Sequence, residues 1–229
     1  MAADERPWGL FGTIAWGVLI LTVAGLAQGL AYTEIWVATF PRSPTNRLSA
    51  LTGALLASCI VGTTLTFAAI KLRRGCTAAS YLGLRRVRWQ RALPWISLGV
   101  VTSLLGIWSR DAGPDTNGNV DLLAQNWFPP YLVAFVLLVP FFEESTFRGF
   151  LLTGLRNTRL GDTAAIAIVA ALWAAMHFDS TWLGFIALFT LGCVLGAMRK
   201  ATQSILPGFC VHAFSNAVSL SIEVLRGLP

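Results

Sequence analysis

The chain predicts an all-α polytopic integral membrane protein of about seven transmembrane helices, with six to eight as the range. Two observations carry that reading. Of 229 residues, 55% are hydrophobic and only 12% charged, and the mean hydropathy is +0.65; soluble domains carry about 25% charged residues. Apolar runs also recur at 8–32, 48–72, 92–108, 127–155, 163–178, 182–198 and 204–225. A crossing helix needs ~20 residues, so several runs suffice alone and the shorter ones need flanking turns.

Taken in order, the first run opens after Asp4-Glu5-Arg6, a segment that is not clearly basic, and its apolar stretch is too long for a cleaved leader. It reads as a retained helix, closed by a turn near Glu34 and Pro41–Pro44. After the second run, Lys71, Arg73, Arg74, Arg85, Arg86, Arg88 and Arg91 fall in one loop with no acidic residue, which places that loop on the cytoplasmic side. It would meet anionic lipid headgroups, with Arg85–Arg88 and Trp89–Arg91 lying flat on the membrane surface. The loop 109–127 sets Asp111, Asp115 and Asp121 against Arg110 and suits the opposite side. Arg156, Arg159, Arg199 and Lys200 return the later loops to the cytoplasm, so seven spans put the N-terminus inside and the C-terminus outside. A net charge of +6 would suggest nucleic acid in a soluble protein; here no recognition motif accompanies it, and no nucleic-acid partner is expected. Cys59, Cys76, Cys193 and Cys210 show no metal or redox spacing and read as small apolar residues. The expected organisation is a single membrane domain over 1–229, with front helices in 1–108 and a polar helical core in 127–225.

That core holds the groups that need explaining. Glu143-Glu144-Ser145-Thr146-Phe147-Arg148 lies within an apolar helix, where an isolated ionised group costs several kcal/mol or more. Arg148 follows Glu144 by four residues and shares its helical face, so these two read as an ion pair. Glu143 sits about 100° round the helix, outside that pairing. Pro140 should kink this helix one turn before Glu143. The next run brings His177, and the last brings His212 with Asn216 four residues on. Glu143 lies about twelve residues and His177 about fourteen from the basic turn between them, ~18–21 Å at the helical rise; His212 lies ~14 Å from its own loop. Three helices thus deliver Glu143, His177 and His212 toward one layer. Glu143, desolvated among Phe141, Phe142 and Phe147, suits a general base. His177 can shuttle the proton or orient a water, and His212 with Asn216 can donate to an oxyanion.

Glu143-Glu144-xxx-Arg148, Trp173-xxx-His177 and His212-xxx-Asn216 resemble, in order and rough spacing, the three motifs of the CPBP (ABI) family, which contains the type II CAAX prenyl proteases and related glutamic intramembrane endopeptidases. The resemblance covers about 127–220; the front half matches only in being apolar. It implies Glu143 as water-activating base with His177 assisting, His212 and Asn216 as oxyanion site, and Glu144 and Arg148 in support. Trp173 stands where that family more often has Phe, an exchange expected to touch packing more than chemistry.

The reading these features support is an intramembrane endopeptidase, without a cofactor, in a membrane that is expected to be the bacterial cytoplasmic one. Its substrate would be a membrane protein or a lipidated or hydrophobic peptide within the bilayer. Prenylated proteins, bacteriocins and C-terminal sorting signals all remain open as targets. Plainer roles stand beside these. Asn216 can bridge two helices, Asp179 can close a turn, Trp173 can be packing, and Trp8, Trp36, Trp127 and Trp182 can anchor at the interface. His177, His212 and Glu143 also form a conceivable zinc set, although no HExxH is present. The rivals from other classes are a proton-coupled transporter, disfavoured by the lack of matching polar groups in the front half, and a non-proteolytic scaffold or immunity protein.

Overall fold

The computed structural model describes residues 7–38, 44–84, 86–110, 126–177 and 181–227, and these form helices without strands. Eight helices follow one another: α1 (Leu10–Ala38), α2 (Pro44–Leu72), α3 (Ala78–Leu82), α4 (Trp89–Arg110), α5 (Phe128–Arg156), α6 (Gly161–Ala175), α7 (Trp182–Thr202) and α8 (Leu206–Gly227). Each of the seven apolar runs has its helix. Five helices are long and apolar enough to cross a membrane: α1, α2, α5, α7 and α8. α6 is apolar but shorter, with 15 residues.

Burial sorts the two faces of these helices. Side chains such as Phe11, Val37 and Trp182 are largely exposed although apolar, as a lipid-facing surface requires when the backbone is satisfied within its own helix. Inward, Ile20, Ile70, Phe147, Phe150, Trp173, Leu195 and Met198 form a common core. α1 packs along α2, while α4 and α6 both pack against α7. Thr66 of α2 and Thr146 of α5 share a hydrogen bond of 2.9 Å, which ties the front helices to the polar core.

The basic loop holds a feature that its charge pattern hid. α3 is a short helix closed at its start by a capping box between Thr77 and Ser80 and at its end by Gly83, at φ 67°. Arg199 of α7 donates to the Tyr81 carbonyl at 3.1 Å, and a Cβ on Gly83 would collide with both the Gln203 carbonyl and the Arg199 guanidinium. Only glycine meets both demands there. Of the expected surface segment, Trp89–Arg91 form the first turn of α4. Arg85, part of the turn at Pro41–Pro44, the acidic residues of loop 109–127, and Asp179 lie outside the described residues.

Pro140 acts on α5 in a specific way. The helix widens to π geometry at Ala134–Leu138, just before Pro140, and again at Glu144–Leu151, just after Glu143. π segments within α-helices frequently mark functional sites. Here one ends five residues before Glu143 and the other begins at Glu144.

Candidate active site

Glu144 is completely buried, and its Oε1 accepts from Arg148 at 3.0 Å, as the four-residue spacing predicts. The same oxygen stands 3.3 Å from Nδ1 of His212 on α8. Removing a carboxylate from water is tolerable only with such partners. Oε2 of Glu144 has no hydrogen-bond partner among the described residues. It faces Gly208, where an added Cβ would stand 2.9 Å away.

Glu143 is less enclosed, with 18% of its side chain exposed. Its Oε2 accepts from the indole Nε1 of Trp173 at 2.5 Å and lies 3.8 Å from Nε2 of His212. His212 therefore stands between the glutamates, with Nδ1 toward Glu144 and Nε2 toward Glu143. A carboxylate accepts, so Nδ1 is the nitrogen that carries the proton in the neutral ring.

His177 follows the last residue of α6 by two positions. Its Nδ1 is 3.0 Å from the Trp173 carbonyl, which can only accept, so Nδ1 carries a proton, and Nε2 has no hydrogen-bond partner among the described residues. Asn216 donates through Nδ2 to the Phe135 carbonyl at 2.9 Å. In a π segment the acceptor for residue 140 is the carbonyl five residues back, and Pro140 has no N–H to give. Asn216 supplies the missing donor, so the helix-bridging role is real for one of its amide hydrogens.

These side chains meet in one cavity of about 360 Å³, lined by Glu143, Trp173, His177, His212 and Asn216. Thr102, Ser103 and Gly106 of α4 also line it, as do Ser215 and Ser219 of α8 and Leu188 and Leu191 of α7. Two contributions escaped the sequence reading. One is α4, whose small hydroxyl residues look like ordinary helix-face polarity. The other is Trp173, expected to be packing, which touches Glu143, both histidines and Arg148. Its position one turn before His177, on the same helical face, was the available signal. As for a metal, among the described residues no three His, Cys, Asp or Glu side chains are grouped so as to hold one ion, which leaves the zinc alternative at His177, His212 and Glu143 without a formed site.

Residues 125–218, a segment that includes all of these groups except those of α4 and Ser219, match a protein family described as type II CAAX prenyl endopeptidase Rce1-like. Over this segment the chain is similar to the type II CAAX prenyl endopeptidases of that family. No curated protein and no solved structure matches the chain. This similarity and the five helices long and apolar enough to cross a membrane support an integral membrane protein.

Proposed function

We propose that the protein hydrolyses a peptide bond of a membrane-associated protein or hydrophobic peptide, with Glu143 activating the water. One observation supports this reading above the rest: a carboxylate, two imidazoles and an amide line a single cavity, carried there by α5, the residues just past α6, and α8. In this reading Glu143 takes a proton from a water held in the cavity while the water oxygen adds to the scissile carbonyl carbon. His177, with Nε2 free, helps to orient that water. His212 through Nε2 and Asn216 through its second amide hydrogen stabilise the oxyanion. Glu144, paired with Arg148, holds the Nδ1 side of the His212 ring, and donation from Nε2 uses the ring with both nitrogens protonated. Collapse of the tetrahedral intermediate breaks the C–N bond, and the proton held by Glu143 passes to the leaving amine.

The division of labour follows the same lines: 127–225 carries the chemistry, and α4 of the front half adds a wall to the substrate cavity. Substrate would enter sideways between helices, since the cavity lies among membrane-spanning segments. The test compares protein termini in membranes from cells lacking the protein, complemented with wild type or with Glu143→Ala. New termini that need Glu143 establish proteolysis and name the substrate. Identical termini, with both proteins folded and expressed, would instead favour a scaffold or transport role.

A further inference from the structure

Trp173 makes more contacts with the polar centre than any packing role requires. It is 1% exposed and sits on α6 one turn before His177. Its Nε1 donates to Oε2 of Glu143, and its ring meets those of His177 and His212 edge-on, with centroids 5.1 and 5.4 Å apart. The Arg148 guanidinium lies 4.5 Å over the indole face. One side chain therefore touches the half-buried Glu143, both imidazoles, and the cation that neutralises the buried Glu144.

We propose that Trp173 is a positioning residue for Glu143, and that its indole N–H is the operative atom. An indole N–H can donate and cannot accept. It therefore holds one chosen oxygen of Glu143, Oε2, beside His212, and leaves Oε1 for the water. A free carboxylate on a glutamate side chain samples broad rotation about its last torsion. The Trp173 bond removes that freedom in a site where misplacement of a reacting group lowers the rate. The ring contacts with Arg148 and the two histidines hold the indole itself in place. Phenylalanine would keep part of the packing and lose the only donor.

The proposal rests on Glu143 being the base, so the experiment separates the two claims. Four proteins are compared in membranes: wild type, Glu143→Gln, Trp173→Phe, and the chain carrying 3-benzothienylalanine in place of Trp173. That last residue keeps the bicyclic shape with sulfur where the N–H stood. The infrared carboxylate band that Glu143→Gln abolishes is expected to move in both proteins without the N–H. Production of Glu143-dependent termini is expected to slow at least tenfold in both, with the benzothienyl protein as heat-stable as wild type. An unmoved band, or wild-type cleavage by the benzothienyl protein, overturns the proposal. If Glu143→Gln changes no termini, the proteolytic reading fails by itself. The infrared comparison then decides alone whether Trp173 holds this carboxylate.

Discussion

Nδ1 of His212 stands 3.3 Å from Oε1 of Glu144, and this contact settles which ring nitrogen faces Glu143. With Nδ1 turned to the buried Glu144, Nε2 is presented to the half-buried Glu143 at 3.8 Å. That separation exceeds a direct hydrogen bond. The two adjacent glutamates thus differ by environment: one is spent on Arg148 and His212, while the other opens on the cavity.

The Glu144–Arg148 pair is predicted to behave as a buried ion pair. Both side chains are 1% exposed, so truncating either partner strands the other. Glu144→Ala or Arg148→Ala should cost about 3–5 kcal/mol of stability, read by unfolding in detergent micelles. Replacing both with leucine should recover most of that stability. Cleavage should stay lost in the double variant, because His212 Nδ1 no longer has its acceptor. Full recovery of cleavage would show that Glu144 serves the fold alone.

Gly208 is predicted to be intolerant of a single methyl group. An added Cβ would lie 2.9 Å from Oε2 of Glu144, a buried oxygen without a hydrogen-bond partner among the described residues. Gly208→Ala must push the carboxylate off Arg148 or His212, or push α8 away from α5. Gly25→Ala is the control, since a Cβ there meets nothing within 4 Å. Melting curves should show a clear loss for Gly208→Ala and no loss for Gly25→Ala. Equal behaviour of the two would contradict close packing of α8 on Glu144.

What the sequence made legible follows from periodicity and from the cost of burying charge. Every apolar run became a helix, and the four-residue spacing of Glu144 and Arg148 gave the ion pair. The depth estimate for Glu143, His177 and His212 agrees with their meeting in one cavity. Three things stayed hidden. Contacts between helices far apart in sequence, such as Glu144 with His212, leave no periodic trace. π segments have no strong residue signature, so the freed Phe135 carbonyl and its bond to Asn216 could not be read. A tryptophan in an apolar helix carries the same hydropathy signal whether its N–H is used or idle, which concealed Trp173.

At the basic face, Asp162 should show a pH-dependent contribution. It accepts from Arg156 at 2.8 Å and lies 3.0 Å from Nζ of Lys200, joining α5, α6 and α7 at one end. The Lys200 hydrogen bond, together with the charge of Arg156, holds its carboxyl below the usual aspartate range. A depressed folded value means the contribution is present above the unfolded aspartate pKa of about 3.9. It is lost as pH falls through the folded value. Because the three side chains are partly exposed, the effect should be about 0–1 kcal/mol and fade in high salt. Asp162→Asn should melt slightly lower than wild type near neutral pH, and the two curves should converge at strongly acidic pH. A gap that persists there would point to packing instead of charge.

Asn216 carries a structural and a proposed chemical role, and Pro140 allows them to be separated. Its amide donates to Phe135 O because residue 140, five positions on in a π segment, has no N–H. Asn216→Ala should therefore leave a part-buried carbonyl without this donor and cost about 1 kcal/mol. In a Pro140→Ala background the new N–H can take that carbonyl, or the segment can return to α geometry, so the cost should shrink well below the wild-type figure. A double-mutant cycle in detergent measures this coupling directly. Additive losses would mean that Asn216 does not stand in for the proline's missing donor. The cleavage assay reads the other role. If the second amide hydrogen of Asn216 helps to hold the oxyanion, Asn216→Ala should slow cleavage even where Pro140→Ala has restored the fold. If restoring the fold restores cleavage as well, Asn216 acts only by shaping α5, and His212 is left as the side chain facing the oxyanion.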